Sequence, residues 1–308
     1  MICIELWYNA RMIFKVRERY MMKRLIIFVL IFSSQIIMAS QILAPIVSVE
    51  WLKKHFNDKN LLIVDVREKK EYLKGHIKGA VNIPANENLF VGDKLLMPKL
   101  SSLQKLFSDA GISDKTTVIS YDGGLFYFSA RFYWLLKVLG HEKVSLLSVS
   151  YGNWRKGYIP VDNKEVYKEK TTFIPHINNN IIATKLDVLV SIGKATIIDG
   201  RRHSDYIGKT SSTKRYGHIP TAINFPSTLT YTSSVLGNKL KDWKKLKKVF
   251  SSLDKNKKVI LYCDDSAEAA LDGLILNQLG YSTIVYEGSW LEWGSDSSLP
   301  IVTPLNKR

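Results

Sequence analysis

The chain has 308 residues, 46% of them apolar, with 44 Lys and Arg against 28 Asp and Glu for a formal net charge of +16. That length is too great for one ordinary α/β domain and suits two, and the apolar content excludes a disordered or fibrous chain. The basic balance favours anionic ligands, but no basic–aromatic recognition motif accompanies it, so nucleic acid is not an expected partner.

The N-terminus reads as a targeting segment. Met21-Met22-Lys23-Arg24 is basic, Leu25 to Met38 is apolar apart from Ser33, Ser34 and Gln35, and Ala39 and Ser40 are small. This is the layout of a secretory signal peptide. The apolar run is shorter than the ~20 residues a membrane-spanning helix needs. An exported, periplasmic protein without stable membrane insertion is therefore expected, and an uncleaved anchor is the alternative. The expected start is Met21 or Met22, with the preceding residues an extension. Loss of residues 1–40 lowers the net charge to about +12 and removes Cys3, leaving Cys263 as the one cysteine. A single cysteine forms no internal disulfide, even in an oxidising compartment.

From residue 61 the chain alternates strand and helix signals. Leu61-Leu62-Ile63-Val64-Asp65-Val66-Arg67 is an apolar run ending in Asp-x-Arg, as in a buried parallel strand whose carboxyl end meets a polar loop. Gly75-His76-Ile77 opens a turn and a short strand that ends at Asn82-Ile83-Pro84. Thr117 to Tyr121 forms the next strand and leads into Asp122-Gly123-Gly124. A helix then runs through Ala130 to Leu136 and stops at Gly140, and Tyr151-Gly152-Asn153-Trp154 closes the segment. Residues 161–180 are polar and end in Asn178-Asn179-Asn180, as a linker would.

The same order then repeats. Ala195 to Asp199-Gly200-Arg201 matches the first strand, and Gly217-His218-Ile219 through Asn224-Phe225-Pro226 matches the turn. Lys241 to Phe250 carries five lysines, with Trp243, Leu246 and Phe250 on the other face, and reads as a surface helix with a solvated basic side. Lys258 to Tyr262 leads into Cys263-Asp264-Asp265, followed by a helix that stops at Gly280 and by Glu287-Gly288-Ser289-Trp290. Two long copies mean a duplicated domain, each a mostly parallel sheet covered by helices.

The ordered motifs, occurring twice and ending in Gly-Ser-Trp-Leu-Glu-Trp at residues 288–293, resemble the rhodanese superfamily. Two tandem copies resemble the thiosulfate and 3-mercaptopyruvate sulfurtransferases over nearly all of residues 44–302. The resemblance implies an α/β fold of two rhodanese-like domains, residues 44–160 and 181–302. It also implies that the first has lost its cysteine, since Asp122 stands in the place of Cys263. The implied activity is sulfur transfer: the Cys263 thiolate attacks the outer sulfur of a donor, holds it as a persulfide, and passes it to a thiophilic acceptor. Thiosulfate, polysulfide or a protein persulfide is the donor class. No metal and no organic cofactor are implied. The active-site loop is Asp264, Asp265, Ser266, Ala267, Glu268 and Ala269, at the mouth between the domains of a monomer. A carrier fed by a partner protein and an inactive pseudoenzyme are the competing readings.

Two departures bear on the substrate. Relatives place cationic, glycine or small polar residues after the cysteine, whereas Asp264, Asp265 and Glu268 stand here. Three carboxylates beside a thiolate raise its pKa and repel a dianionic donor, unless Asp264 and Asp265 point outward and cap the following helix. The tandem enzymes also often carry an arginine four residues after the Asp-x-Arg arginine, for the donor's anionic end. Asp205 and Tyr206 stand there in this chain, leaving Arg202 or Arg215 to substitute. Ala269, in place of a phosphate-holding arginine, argues against phosphatase chemistry. Asp199 with Arg201 is expected as a buried structural pair. His76 and His218 are expected to fix their loops, and Trp290 and Trp293 to wall the core or cleft.

Overall fold

The structure, a computed structural model, describes residues 43–156, 160–235 and 237–303; the expected signal segment lies outside the described residues. The strands are β1 (Ile46–Val47), β2 (Leu61–Asp65), β3 (His76–Ile77), β4 (Val81–Asn82), β5 (Thr117–Tyr121), β6 (Val144–Leu147), β7 (Val161–Asp162), β8 (Ile182–Ala183), β9 (Thr196–Asp199), β10 (Ile223–Asn224), β11 (Tyr231–Thr232), β12 (Lys239–Leu240), β13 (Val259–Tyr262) and β14 (Thr283–Tyr286). Two five-stranded sheets form, ordered β1-β6-β5-β2-β4 and β8-β14-β13-β9-β10, and every pair in both is parallel. The two orders are superimposable, so the duplication seen in the sequence is a duplication of topology.

The central strands are buried on both faces. Val118 and Ile119 of β5, and Val259, Ile260 and Leu261 of β13, are at most 1% exposed. Such strands must be apolar on consecutive residues, because helices cover each side of a parallel sheet. The covering helices Tyr127–Val138 and Ala267–Gln278 also pack on each other, one from each domain. That helix pair joins the two domains through apolar residues such as Ala130, Leu135, Ala270 and Leu274. The lysine-rich segment forms the helix Trp243–Val249, capped by Asp242, with Leu246 buried and its lysines outward. Among the described residues, no helix is long and apolar enough to cross a membrane.

Residues 161–180 are more than a tether. β7 pairs with β3, the Val166 amide donates to the Tyr72 hydroxyl (2.9 Å), and Phe173 is buried beside the Phe107 ring (5.3 Å). The polar composition left this invisible, because the strap is fastened largely by its polar groups, backbone amides, the Thr171 hydroxyl on the Ile112 carbonyl and Lys170 on Asp109, with Phe173 as its buried anchor.

The Gly-His-Ile turns need their glycines. Gly217 has φ +124°, and a Cβ there would collide with the Val302 carbonyl oxygen. The neighbouring His218 and Val302 exchange two backbone hydrogen bonds of 2.9 Å, which fasten the C-terminal segment to the second domain. Gly217→Ala is expected to break this exchange and to cost at least ~1 kcal/mol, seen as a lower thermal midpoint.

Candidate active site

Each domain builds the same frame at the carboxyl ends of its central strands. In the second, Arg201 forks onto Asp199 (3.0 and 2.7 Å) and donates to the Gly217 carbonyl (2.8 Å), while the Tyr262 hydroxyl donates to Asp199 (2.7 Å). In the first, Arg67, Asp65, Gly75 and Tyr121 repeat that pattern. Asn82 and Asn224 each bind two carbonyls of the corresponding loop. His76 stacks on Tyr72 and His218 on Tyr206, with Nδ1 of each histidine meeting that tyrosine's carbonyl. Asp199 with Arg201 is thus a buried ion pair, and both histidines lock turns.

The loop after the central strand differs between the domains. In the first, the buried Asp122 carboxyl turns back into its own loop. It accepts from the amides of Gly124 (2.6 Å), Phe126 (3.2 Å) and Ser129 (3.3 Å). The turn closes on left-handed Phe126 (φ +64°), as the second closes on left-handed Ser266 (φ +69°), one residue sooner after the strand. A cavity of about 590 Å³ lies at the mouth of the first loop, lined by Arg67, Asp122, Gly124, Phe128 and Tyr151 among others.

In the second domain Cys263 directly follows β13 and is fully buried. Its amide donates to Ser289 Oγ (3.2 Å), its carbonyl accepts from the Trp290 amide (2.9 Å), and the Ala269 amide points at the sulfur. The Gly-Ser-Trp segment therefore holds the base of the loop, and the helix N-terminus holds its far side. Asp265 does not point outward: its Oδ1 accepts from the Ala267 amide (3.1 Å) and lies 3.8 Å from Cys263 Sγ. The carboxylate caps the helix, as its residue type invites, but from inside the loop. Asp264 is also turned in and accepts from Ser212 Oγ (2.5 Å). Burial, then Asp265 and Glu268, pushes the Cys263 thiol well above its usual range. Burial beside Asp265 and Asp264 pushes the Glu268 carboxyl up to about 8. One turn further along the helix, Asp272 is fully buried with neither carboxyl oxygen hydrogen-bonded, and burial holds it well above the carboxylate range.

The family signature of a rhodanese-like domain matches twice, over residues 48–157 and 183–296. A Mycobacterium leprae protein provisionally named a thiosulfate sulfurtransferase is 30% identical over 270 residues, spanning 83% of this chain and 96% of that protein. The chain belongs to the tandem rhodanese family of sulfurtransferases. The 3-mercaptopyruvate sulfurtransferase of Escherichia coli K12 is 28% identical over 275 residues, with 83% of this chain and 96% of that protein covered. The crystal structure of SseA, a 3-mercaptopyruvate sulfurtransferase from Escherichia coli, superimposes with a TM-score of 0.72 at 26% identity, over 80% of this chain and 99% of that one.

Within this tandem rhodanese the two candidate donor-binding arginines separate. Arg215 is committed to structure: its guanidinium donates to the carbonyls of Asp296 (2.6 Å) and Leu299 (2.8 Å). These two carbonyls lie three residues apart in the C-terminal segment, and one planar guanidinium reaches both. Arg202 is exposed at the second domain's mouth, 3.6 Å from Asp205 and on the side of Glu268. Trp290 lies under the Arg201 guanidinium (4.3 Å) and donates to Ser211, so it forms a wall; Trp293 is buried in the core. Among the described residues, no group of three or more His, Cys, Asp and Glu side chains is placed to hold a metal ion.

The sequence reading missed Arg131. This fully buried side chain of the first domain donates to Ser266 Oγ (2.5 Å) in the Cys263 loop and pairs with Glu287 (3.0 Å). Its signal was a cation in the middle of a largely apolar helical stretch, Phe-Ser-Ala-Arg-Phe-Tyr-Trp, away from the helix end where Lys137 sits. A charge in that setting requires a buried partner.

Proposed function

We propose that this chain moves sulfane sulfur from a donor less charged than the thiosulfate dianion, a protein persulfide or a singly charged hydropolysulfide, to a nucleophilic acceptor through a persulfide on Cys263. The observation that carries the reading is Cys263 directly after β13, its backbone held by Ser289 and Trp290 and its sulfur faced by the Ala269 amide. The thiolate attacks the donor's outer sulfur, the S–S bond to the donor breaks, and the leaving group departs with the electron pair. The acceptor reverses the exchange. The inward Asp265 and Asp264 support the donor class, since their charge opposes both thiosulfate and the thiolate itself. The same features favour, as a second reading, a carrier loaded by a partner protein: the sulfur is fully buried and its loop is acidic. The chain acts as an exported monomer.

Purified protein treated with thiosulfate or with polysulfide, followed by intact mass, tests both readings. A gain of one sulfur from polysulfide, discharged by cyanide and weaker with thiosulfate, is expected. Gain from neither donor removes the small-molecule reading and leaves the partner-fed carrier.

A further inference from the structure

The first domain has no cysteine, yet it reaches the active loop through one side chain. Arg131 lies on the helix Tyr127–Val138, which packs on the helix that follows Cys263. Its Nη1 donates to Ser266, the left-handed residue that closes the loop, and its Nη2 donates to Glu287. Glu287 stands two residues before Ser289, whose hydroxyl accepts the Cys263 amide. Arg131 therefore grips the loop on both flanks, at the turn and at the segment that holds its base. Its Nε remains without a partner, and the guanidinium is sandwiched by the Phe90 and Trp134 rings at 5.0 Å each. A cation so enclosed is expensive to bury and has few places to spend its field.

The charges facing Cys263 make that field matter. From its own loop and helix come Asp264, Asp265, Glu268 and Asp272. Asp199, paired with Arg201, ends β9, and Glu287 directly follows β14. Arg202 faces Glu268 from the exposed side, and Tyr127 lies near Glu268 across the domain boundary. Arg201 is consumed by Asp199 and Arg202 sits in water, which leaves Arg131 as the buried cation of the described residues within reach of the sulfur that is not forked onto a carboxylate.

We propose that Arg131 is a positioning residue for sulfur transfer, by which the cysteine-less domain holds the Cys263 loop closed and sets a positive charge against the thiolate and its persulfide. The inference rests on Cys263 being the sulfur carrier, but its test does not need sulfur transfer. Alkylation of Cys263 by iodoacetamide, followed by peptide mass across pH 7 to 10, reports the thiolate directly.

Arg131→Met is expected to move the profile up by about one pH unit, a roughly tenfold loss of thiolate below both midpoints. The Met97 amide also donates to Glu287 Oε1, so Glu287→Gln frees the guanidinium from its counter-charge while keeping that acceptor, and is expected to move the profile down. Arg131→Lys is expected to retain most of the parent behaviour, and it carries the test with Glu287→Gln where the methionine variant does not fold. Unshifted profiles, or shifts of Arg131→Met and Glu287→Gln in the same direction, overturn the proposal, because a purely structural clamp has no reason to respond to the two charges with opposite sign. Failure of the parent protein to take up sulfur while the profiles shift as expected overturns the function instead.

Discussion

Replacing Asp264 with Gly and Asp265 with Ser together is expected to raise the rate at which Cys263 is alkylated at pH 8 by at least ~10-fold, since each removed like charge is worth on the order of one pKa unit. The direction follows from the site. Burial and then the neighbouring acids hold the Cys263 thiol well above its usual range, so in the parent protein reactivity climbs with pH and stays small near neutrality. Below about pH 8 Glu268 holds its proton; above it, ionisation adds another like charge and flattens the climb. The double substitution removes Asp265 from its place 3.8 Å from the sulfur, and serine at that position still offers an oxygen to the Ala267 amide. Sulfur uptake from thiosulfate should increase in parallel, measured by intact mass after a fixed exposure. Unchanged alkylation and unchanged uptake would show that the acids do not govern this thiol.

The second large effect is on stability. Asp199→Ala leaves Arg201 fully buried and unpaired and strips the Tyr262 hydroxyl of its acceptor. Breaking one side of a buried pair costs ~3–5 kcal/mol, which for a chain of this size lowers the thermal midpoint by roughly 10 °C. Asp65→Ala in the first domain should cost less. Arg67 keeps 10% side-chain exposure where Arg201 has none, so water takes over part of the lost pairing. Equal losses at the two positions, measured by calorimetry, would contradict this account.

The duplication, the order of the elements and the position of Cys263 were legible because each is carried by local pattern. An apolar run ending in Asp-x-Arg is a strand end by its own chemistry, and its recurrence at Asp65 and Asp199 fixed the repeat. The roles of His76 and His218 were legible for the same reason, since their partners lie within 12 residues. Asp265 was ambiguous. A helix-capping acid reads alike whether it caps from outside or inside the turn, and the inward choice depends on Cys263 and Ser266 being packed beneath the other domain. Arg131 and Ser266 are 135 positions apart, and no periodicity within either helix encodes that meeting. Arg215 was misjudged because an arginine beside a turn reads as available to ligands until the carbonyls of Asp296 and Leu299 are brought to it.

Asp122 gives the silent domain a different kind of usefulness. Its carboxyl is an acceptor covalently attached to the cradle that surrounds it, bound by three amides at 2.6 to 3.3 Å. That loop is permanently stocked and keeps its shape whatever the supply of sulfur. The helix that starts from it, and that presents Arg131 to the other domain, therefore has a fixed footing. One copy of the fold serves as the abutment on which the loop of the other copy is held.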